Sequence, residues 1–198
     1  MHIAVAGNIG SGKTTLTNML SKHYGWETHF EDVDHNPYLN DFYLDMNRWS
    51  FNLQVYFLQR RFQAQKEIIY SNRGVIQDRT IYEDSKIFAK NLYEMGHLKE
   101  RDYNTYNDLF ITMTSYLKKP DLIIYLKAST DTLLTRIHSR GREYENKISP
   151  EYIHQLNITY DNWIKNLKEI KTVFNPYLLT CSQNKLLSVF EHVIFLTF

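Results

Sequence analysis

Residues 7–14 read Gly7-Asn8-Ile9-Gly10-Ser11-Gly12-Lys13-Thr14, with Thr15 next in line. The octet satisfies G-x-x-x-x-G-K-[ST] at each fixed position and follows the apolar run Ile3-Ala4-Val5-Ala6, which reads as a buried strand. The glycines permit backbone conformations and close approaches that a Cβ obstructs, so successive N–H groups can converge on phosphate oxygens. Lys13, expected to be exposed, brings a point charge to the β- and γ-phosphates, and the Thr14 hydroxyl suits Mg²⁺. A helix over about residues 13–23 aims the positive end of its dipole at the same oxygens. The stretch predicts a strand, phosphate loop and helix in direct succession, and hence a nucleoside triphosphate as ligand.

Outward from that unit, short apolar runs alternate with segments of helical period, the pattern of a parallel sheet flanked by helices. The expected strands are Ile3–Ala6, Thr28–Glu31, Val75–Gln77 and Leu122–Leu126. Trp49, Leu53, Tyr56, Phe57 and Arg60 recur at helical intervals, as do Tyr103, Tyr106, Phe110, Met113 and Leu117. A third helix is announced by Ser149 as N-cap and Pro150 in its first turn. No linker, repeat or low-complexity tract divides residues 1–198, so one α/β domain is expected.

Composition narrows the partners. Lys plus Arg number 23 against 22 Asp plus Glu, so no general field draws the chain to nucleic acid or to an anionic membrane. The single cysteine, Cys181, is what a reducing compartment tolerates, and no apolar stretch is long enough to span a bilayer. A cytoplasmic protein acting on small molecules is expected. The eight histidines lack the short paired spacings of a zinc site.

A phosphate loop identifies the donor, ATP, and leaves the acceptor open. No Asn-Lys-x-Asp tetrapeptide is present to read guanine. Three further constellations fit phosphoryl transfer. Glu31 ends the second expected strand, where a carboxylate sits in the crevice of a parallel sheet and can take a hydroxyl proton. Asp78-Arg79 ends the third, placing an acid for the magnesium water shell and a cation for the charge on the moving phosphoryl group. Arg136, Arg140 and Arg142 flank Gly141 and suit a lid that folds over the phosphates.

Together these residues resemble the deoxynucleoside kinase family over about residues 1–170. Gly7–Thr14 looks like its phosphate loop, Arg48-Trp49-Ser50-Phe51-Asn52-Leu53-Gln54 like its R-W-S-F-x-x-Q helix, Asp78-Arg79-Thr80 like its E/D-R-S/T turn, and Arg140-Gly141-Arg142-Glu143-Tyr144-Glu145 like its R-G-R-x-x-E lid. The resemblance implies a P-loop kinase fold with a parallel five-stranded sheet and an arginine-rich lid. It implies Glu31 as the base for the 5′-hydroxyl, Tyr43 and Glu145 at the sugar 3′-hydroxyl, Gln54 and Asp84 at the base edge, and Phe88 stacked on the base. It further implies a homodimer, with ATP and Mg²⁺ as cofactors. Arg61 lies two helical turns after Gln54, so both can enter one pocket. An arginine and an aspartate in the pocket go with amine-bearing bases in this family, so the resemblance at Arg61 and Asp84 implies deoxyadenosine, deoxyguanosine or deoxycytidine over thymidine. Val33-Asp34-His35-Asn36-Pro37-Tyr38-Leu39, which looks like the deoxyadenosine/deoxyguanosine kinases, implies purines foremost.

The chain departs from the pattern in two places. Glu31 is followed by Asp32 where many relatives have proline, and residues 171–198 offer no evident counterpart of the family's last strand and its acidic loop. The alternative enzyme is a monophosphate kinase of the thymidylate type, and the alternative class is a nucleotide-dependent switch.

Overall fold

The apolar runs become strands because their side chains alternate between two covered faces. In β1 (His2–Gly7) all six residues are buried, Ile3 and Val5 packing with Leu16 and Leu20 on one face, Ala4 and Ala6 with Leu133, Ile153 and Tyr160 on the other. The structure, a computed structural model, describes residues 1–31, 33, 35–167 and 192–196. Beside β1 run β2 (Glu27–His29), β3 (Val75–Asp78), β4 (Leu122–Lys127) and β5 (His192–Leu196), in the order β2-β3-β1-β4-β5.

Three of the pairings are parallel: β1 with β3, β1 with β4, and β2 with β3. The fourth corrects the sequence expectation of a purely parallel sheet, because β5 runs antiparallel to β4, with Ile124 opposite Phe195. The fifth strand of the implied sheet does form, from a segment in which no counterpart of the family's last strand was evident. Strand direction at an edge is set by how the chain returns to the sheet, and the apolar run Val193-Ile194-Phe195-Leu196 carries no sign of it. Within residues 171–198, only 192–196 lie among the described residues.

Helices cover both faces. Helix α1 (Lys13–Tyr24) opens at Gly12 and closes at Gly25, whose N–H donates to Ser21 O at 2.8 Å. Its threonines, Thr14, Thr15 and Thr17, are mediocre helix formers, each unfavourable by up to about 0.7 kcal/mol against alanine. Burying Leu16 and Leu20, worth roughly 1.5–3 kcal/mol each, outweighs them, so packing rather than propensity keeps the helix behind the loop.

The short α2 (Leu39–Leu44) leads into α3 (Met46–Tyr70), whose first turn is fixed by the Asp45 carboxylate accepting from Arg48 N–H. The buried side of α3 is unusual: beside Leu53, Leu58 and Ile68 it holds Ser50, Gln54, Arg61 and Gln65. Buried polar groups need partners or a ligand, and this helix lines the cleft. Helix α4 (Ile81–Glu83), a π-helical stretch over Asp84–Ala89 and α5 (Lys90–Glu94) follow the third strand. Helix α6 (Glu100–Thr114) packs on α3. Helix α7 (Thr130–Arg140) is capped by Ser129 and ends at Gly141, and a 3₁₀ turn (Glu143–Lys147) joins it to α8 (Pro150–Leu167). Ser149 Oγ accepts from Tyr152 N–H at 3.1 Å, the cap expected there.

Candidate active site

The strand ends converge on one open cleft. On one side of it, β1 leaves the sheet at Gly7, with φ 152°, and a Cβ there would lie 2.7 Å from Leu126 O. At Gly10, with φ 80°, it would come within 3.0 Å of Leu133 O. The glycines are needed because neighbouring backbone presses on the loop from below. Ile9 and Gly10 line the cleft, Ser11 O accepts from Arg136 Nη1 at 3.4 Å, and Thr15 is exposed on the first turn of α1.

Lys13 is buried rather than exposed, correcting the sequence expectation: Nζ folds back to donate to Asn8 O at 2.9 Å. Burial, and then the Arg79 charge, push its pKa down to about 8 against the opposing pull of Asp78, Glu31 and Glu83. Thr14 Oγ1 donates to Asp78 Oδ2 at 2.5 Å, whereas Asp78 Oδ1 is buried with no protein partner.

On the other side, Glu31 lies past the end of β2, which stops at His29 rather than continuing to residue 31 as expected. It turns out of the ladder toward two arginines. Arg79 Nη1 donates to both Glu31 carboxylate oxygens at 3.2 Å, and Arg61 Nη2 donates to Oε1 at 2.7 Å. Burial alone would raise the Glu31 pKa, but Arg79, Arg61 and Lys13 overcome it and bring the group down to about 2. Asp32, the other acid of the pair, lies outside the described residues.

Arg79 has φ 66°, the one left-handed non-glycine among the described residues. An L side chain there is strained by about 1–3 kcal/mol, and the contacts show what holds it: Nη2 donates to Gly7 O at 3.3 Å, and the guanidinium lies 4.4 Å over the Phe88 ring. Its pKa is raised still further because Glu31 and then other nearby groups outweigh burial.

Arg61 Nε donates to Asp84 Oδ2 at 3.2 Å. Burial nevertheless dominates at Asp84 and lifts its pKa to about 7 despite the arginine. Gln54, 2 % exposed, lines the same cleft with its Oε1 unpaired by any protein group. Tyr43 stacks on Tyr144 with ring centroids 6.1 Å apart, and burial, then Tyr152 and Glu145, push its hydroxyl well above the usual range.

The expected lid arginines divide. Arg140 grips Glu145 with both Nε, at 2.5 Å, and Nη2, and Arg142 Nη1 stands 3.6 Å from the same carboxylate. Arg136 instead reaches Ser11 O. Arg136 and Arg140, one helical turn apart, are thus held by two separate partners.

Sequence reasoning missed Glu83, Tyr160 and Asn157. Glu83 is fully buried, accepting from Gly7 N–H at 3.1 Å and from Thr80 N–H at 2.9 Å. Thr80-Ile81-Tyr82-Glu83 is an S/T-x-x-E capping box, a signal available in the sequence. Tyr160 reads there only as an aromatic at helical spacing.

In open α/β sheets ligands bind outside the carboxyl ends of the strands, and here that region carries buried ion pairs around a cleft, the setting of an enzyme rather than of a structural module. Comparison with known proteins narrows the class. Residues 3–193 match the model of the family described as deoxynucleoside kinase, and the chain belongs to that family. It is 43% identical over 196 residues to the deoxyadenosine/deoxycytidine kinase of Bacillus subtilis (strain 168), covering 96% of this chain and 90% of the relative. It is 48% identical to the deoxyadenosine kinase of Dictyostelium discoideum over 84% of this chain and 67% of that one. Among solved structures, M. mycoides deoxyadenosine kinase with bound dATP superposes with a TM-score of 0.78 at 36% identity, over 85% of this chain and 87% of that one. The chain is accordingly a kinase, with deoxynucleosides as its substrate class. No helix among the described residues is long and apolar enough to cross a membrane.

Proposed function

We propose that the chain, as a single cytoplasmic domain forming a homodimer, transfers the γ-phosphoryl group of ATP to the 5′-hydroxyl of deoxyadenosine, deoxyguanosine or deoxycytidine in nucleotide salvage. The observation that carries the base preference is Asp84, paired with the buried Arg61, and the unpaired Gln54 Oε1: Asp84 and Gln54 line the same cleft as Ile9, Gly10 and Lys13 of the phosphate loop. An ionised Asp84 accepts from an exocyclic amine, Gln54 completes the base edge, and Phe88 supplies the platform. Tyr43 and Glu145 suit the 3′-hydroxyl. Glu31 receives the proton of the 5′-hydroxyl, Lys13 and residues 7–15 hold the donor phosphates, and Arg79 meets charge developing on the transferred group. Arg136, Arg140 and Arg142 close as a lid.

Mg²⁺ fits the residues present. Thr14 Oγ1 and Asp78 stand together beneath the loop, Asp78 Oδ1 has no protein partner, and among the described residues no three acids, cysteines or histidines are grouped so as to hold a metal ion by themselves. That set suits a cation held largely by water and phosphate oxygens. When bound, it would neutralise phosphate charge, with Thr14 as ligand and Asp78 orienting its water.

The monophosphate-kinase reading needs cations to spare. Arg61 and Arg79 are matched by Glu31 and Asp84, and Arg140 by Glu145, which supports a neutral nucleoside as acceptor. The test is incubation of the pure protein with ATP, Mg²⁺ and each of the four deoxynucleosides or their monophosphates. Deoxyadenosine, deoxyguanosine and deoxycytidine should be converted to monophosphates, and diphosphates formed from monophosphates alone would overturn the assignment.

A further inference from the structure

The fully buried pair Glu83 and Tyr160 has no place in the chemistry described above, yet it grips the phosphate loop at its first residue. The Tyr160 hydroxyl lies 2.9 Å from Gly7 O and 2.8 Å from Glu83 Oε1, sharing one proton between them, while Gly7 N–H donates to that same Oε1 at 3.1 Å. The other carboxylate oxygen accepts from Thr80 N–H at 2.9 Å and Thr80 Oγ1 at 3.3 Å. Both polar groups of residue 7 are thereby held by side chains from α4 and α8. The next residue is moored the same way: Asn8 Nδ2 donates to Ile153 O at 3.0 Å and to Asn157 Oδ1 at 2.7 Å.

Packing alone does not call for an acid here. A carboxylate with no exposure is costly to desolvate, and apolar groups of equal volume commonly fill such a site at no loss of stability. What an apolar pair cannot do is fix the Gly7 peptide. Glu83 also immediately precedes Asp84, and the Tyr160 ring meets Phe88 edge-on, 6.4 Å between centroids at 87°. The anchor of the donor loop is built from the same turn that presents the acceptor's base-facing groups.

We propose that Glu83 and Tyr160 are positioning residues for phosphoryl transfer: their shared hydrogen bond sets the Gly7 peptide, and with it the phosphate loop, at the height at which ATP binds productively. Neither touches substrate. They act through Gly7, and through Arg79, whose Nη2 shares the Gly7 carbonyl.

The inference rests on the proposed function only for its acceptor arm. The test uses Tyr160→Phe, which keeps the ring against Tyr125 and Phe88, and Glu83→Gln, which keeps the volume. Kd for ATP is measured by calorimetry without acceptor, Kd for deoxyadenosine without ATP, and Tm for each variant. Tyr160→Phe should raise the ATP Kd by roughly 2- to 12-fold, the net worth of one hydrogen bond, because Gly7 O keeps only the longer bond from Arg79 Nη2 at 3.3 Å, with deoxyadenosine Kd within about twofold of wild type. Glu83→Gln should shift the same constant in the same direction, and the double variant should lose less than the sum of the two singles, because both act on the one Gly7 peptide. An unchanged ATP Kd in a folded variant, or parallel losses on both sides, overturns the proposal. Should Tyr160→Phe fail to fold, Glu83→Gln decides alone. Wild-type protein that binds ATP but phosphorylates no deoxynucleoside would sink the proposed function and leave the ATP arm standing.

Discussion

Arg61 donates to Glu31 across 2.7 Å, so the residue expected to read the base also holds the acid expected to take the proton. With Arg79 on its other side, Glu31 is brought down to about 2 and stays ionised throughout the working range of pH. It is a weak base, held in place by two arginines. Glu31→Gln should therefore lower kcat by roughly 10²–10⁴ while nucleoside Kd changes little. A depressed carboxylate stabilises the fold above its unfolded value of 4.5 and loses that contribution as pH falls toward 2. The Tm difference between wild type and Glu31→Gln should accordingly shrink over that acid window, and a gap that widens would contradict the pairing.

Asp84 shifts the opposite way, raised by burial to about 7. Above that pH it accepts only, matching an exocyclic amine. As pH falls through 7 it takes a proton and becomes able to donate. Thymidine, with a carbonyl at the amine position, should be poorer than deoxyadenosine by roughly 5- to 150-fold at pH 8, and the gap should narrow by pH 6. Ratios of kcat/KM at the two pH values measure this, and a ratio independent of pH would remove Asp84 from base selection.

Lys13 is lowered to about 8 by burial and Arg79. A lysine depressed in the folded state costs stability below that pH, and the cost fades as pH rises toward its unfolded value of 10.5. Lys13→Met should thus nearly abolish transfer while Tm at pH 7 stays at or above that of wild type. Retained turnover, or a clear loss of Tm, would mean the side chain serves the core.

The unpartnered Oδ1 of Asp78 separates its task from that of Glu31. Asp78→Asn should raise the Mg²⁺ concentration needed for half-maximal rate, and excess Mg²⁺ should restore part of kcat. Glu31→Gln should not respond to the same titration. Rescue of Glu31→Gln alone would mean that the roles of the two acids are reversed.

The sequence discloses this cleft far better than it discloses the sheet's edge. The fixed spacings that put Gly7, Lys13, Gln54, Arg61, Asp78, Arg79 and Asp84 near one another are local chemistry, a glycine turn, a helix face or a strand end, and each is legible from a few residues. The reversal of β5 depends on the path of the chain before His192 and leaves no local mark. Lys13 was misplaced because a charged residue in a ligand loop suggests solvent, whereas here its stem packs inward and the amine caps Asn8 O. Tyr160 escaped notice because a hydroxyl bonded across 153 positions of sequence looks, along the chain, like any core aromatic.

The opposite end of β1 has a practical meaning. Met1 O accepts from Val75 N–H and His2 O from Asp121 N–H, both at 2.9 Å, so residue 1 is pinned where the strands begin, while the cleft opens where they finish. The six residues of β1 place roughly 20 Å between the two. A tether attached at residue 1 should therefore immobilise the protein on a sensor surface with its cleft facing the flow, and leave ligand access rates as they are in free solution.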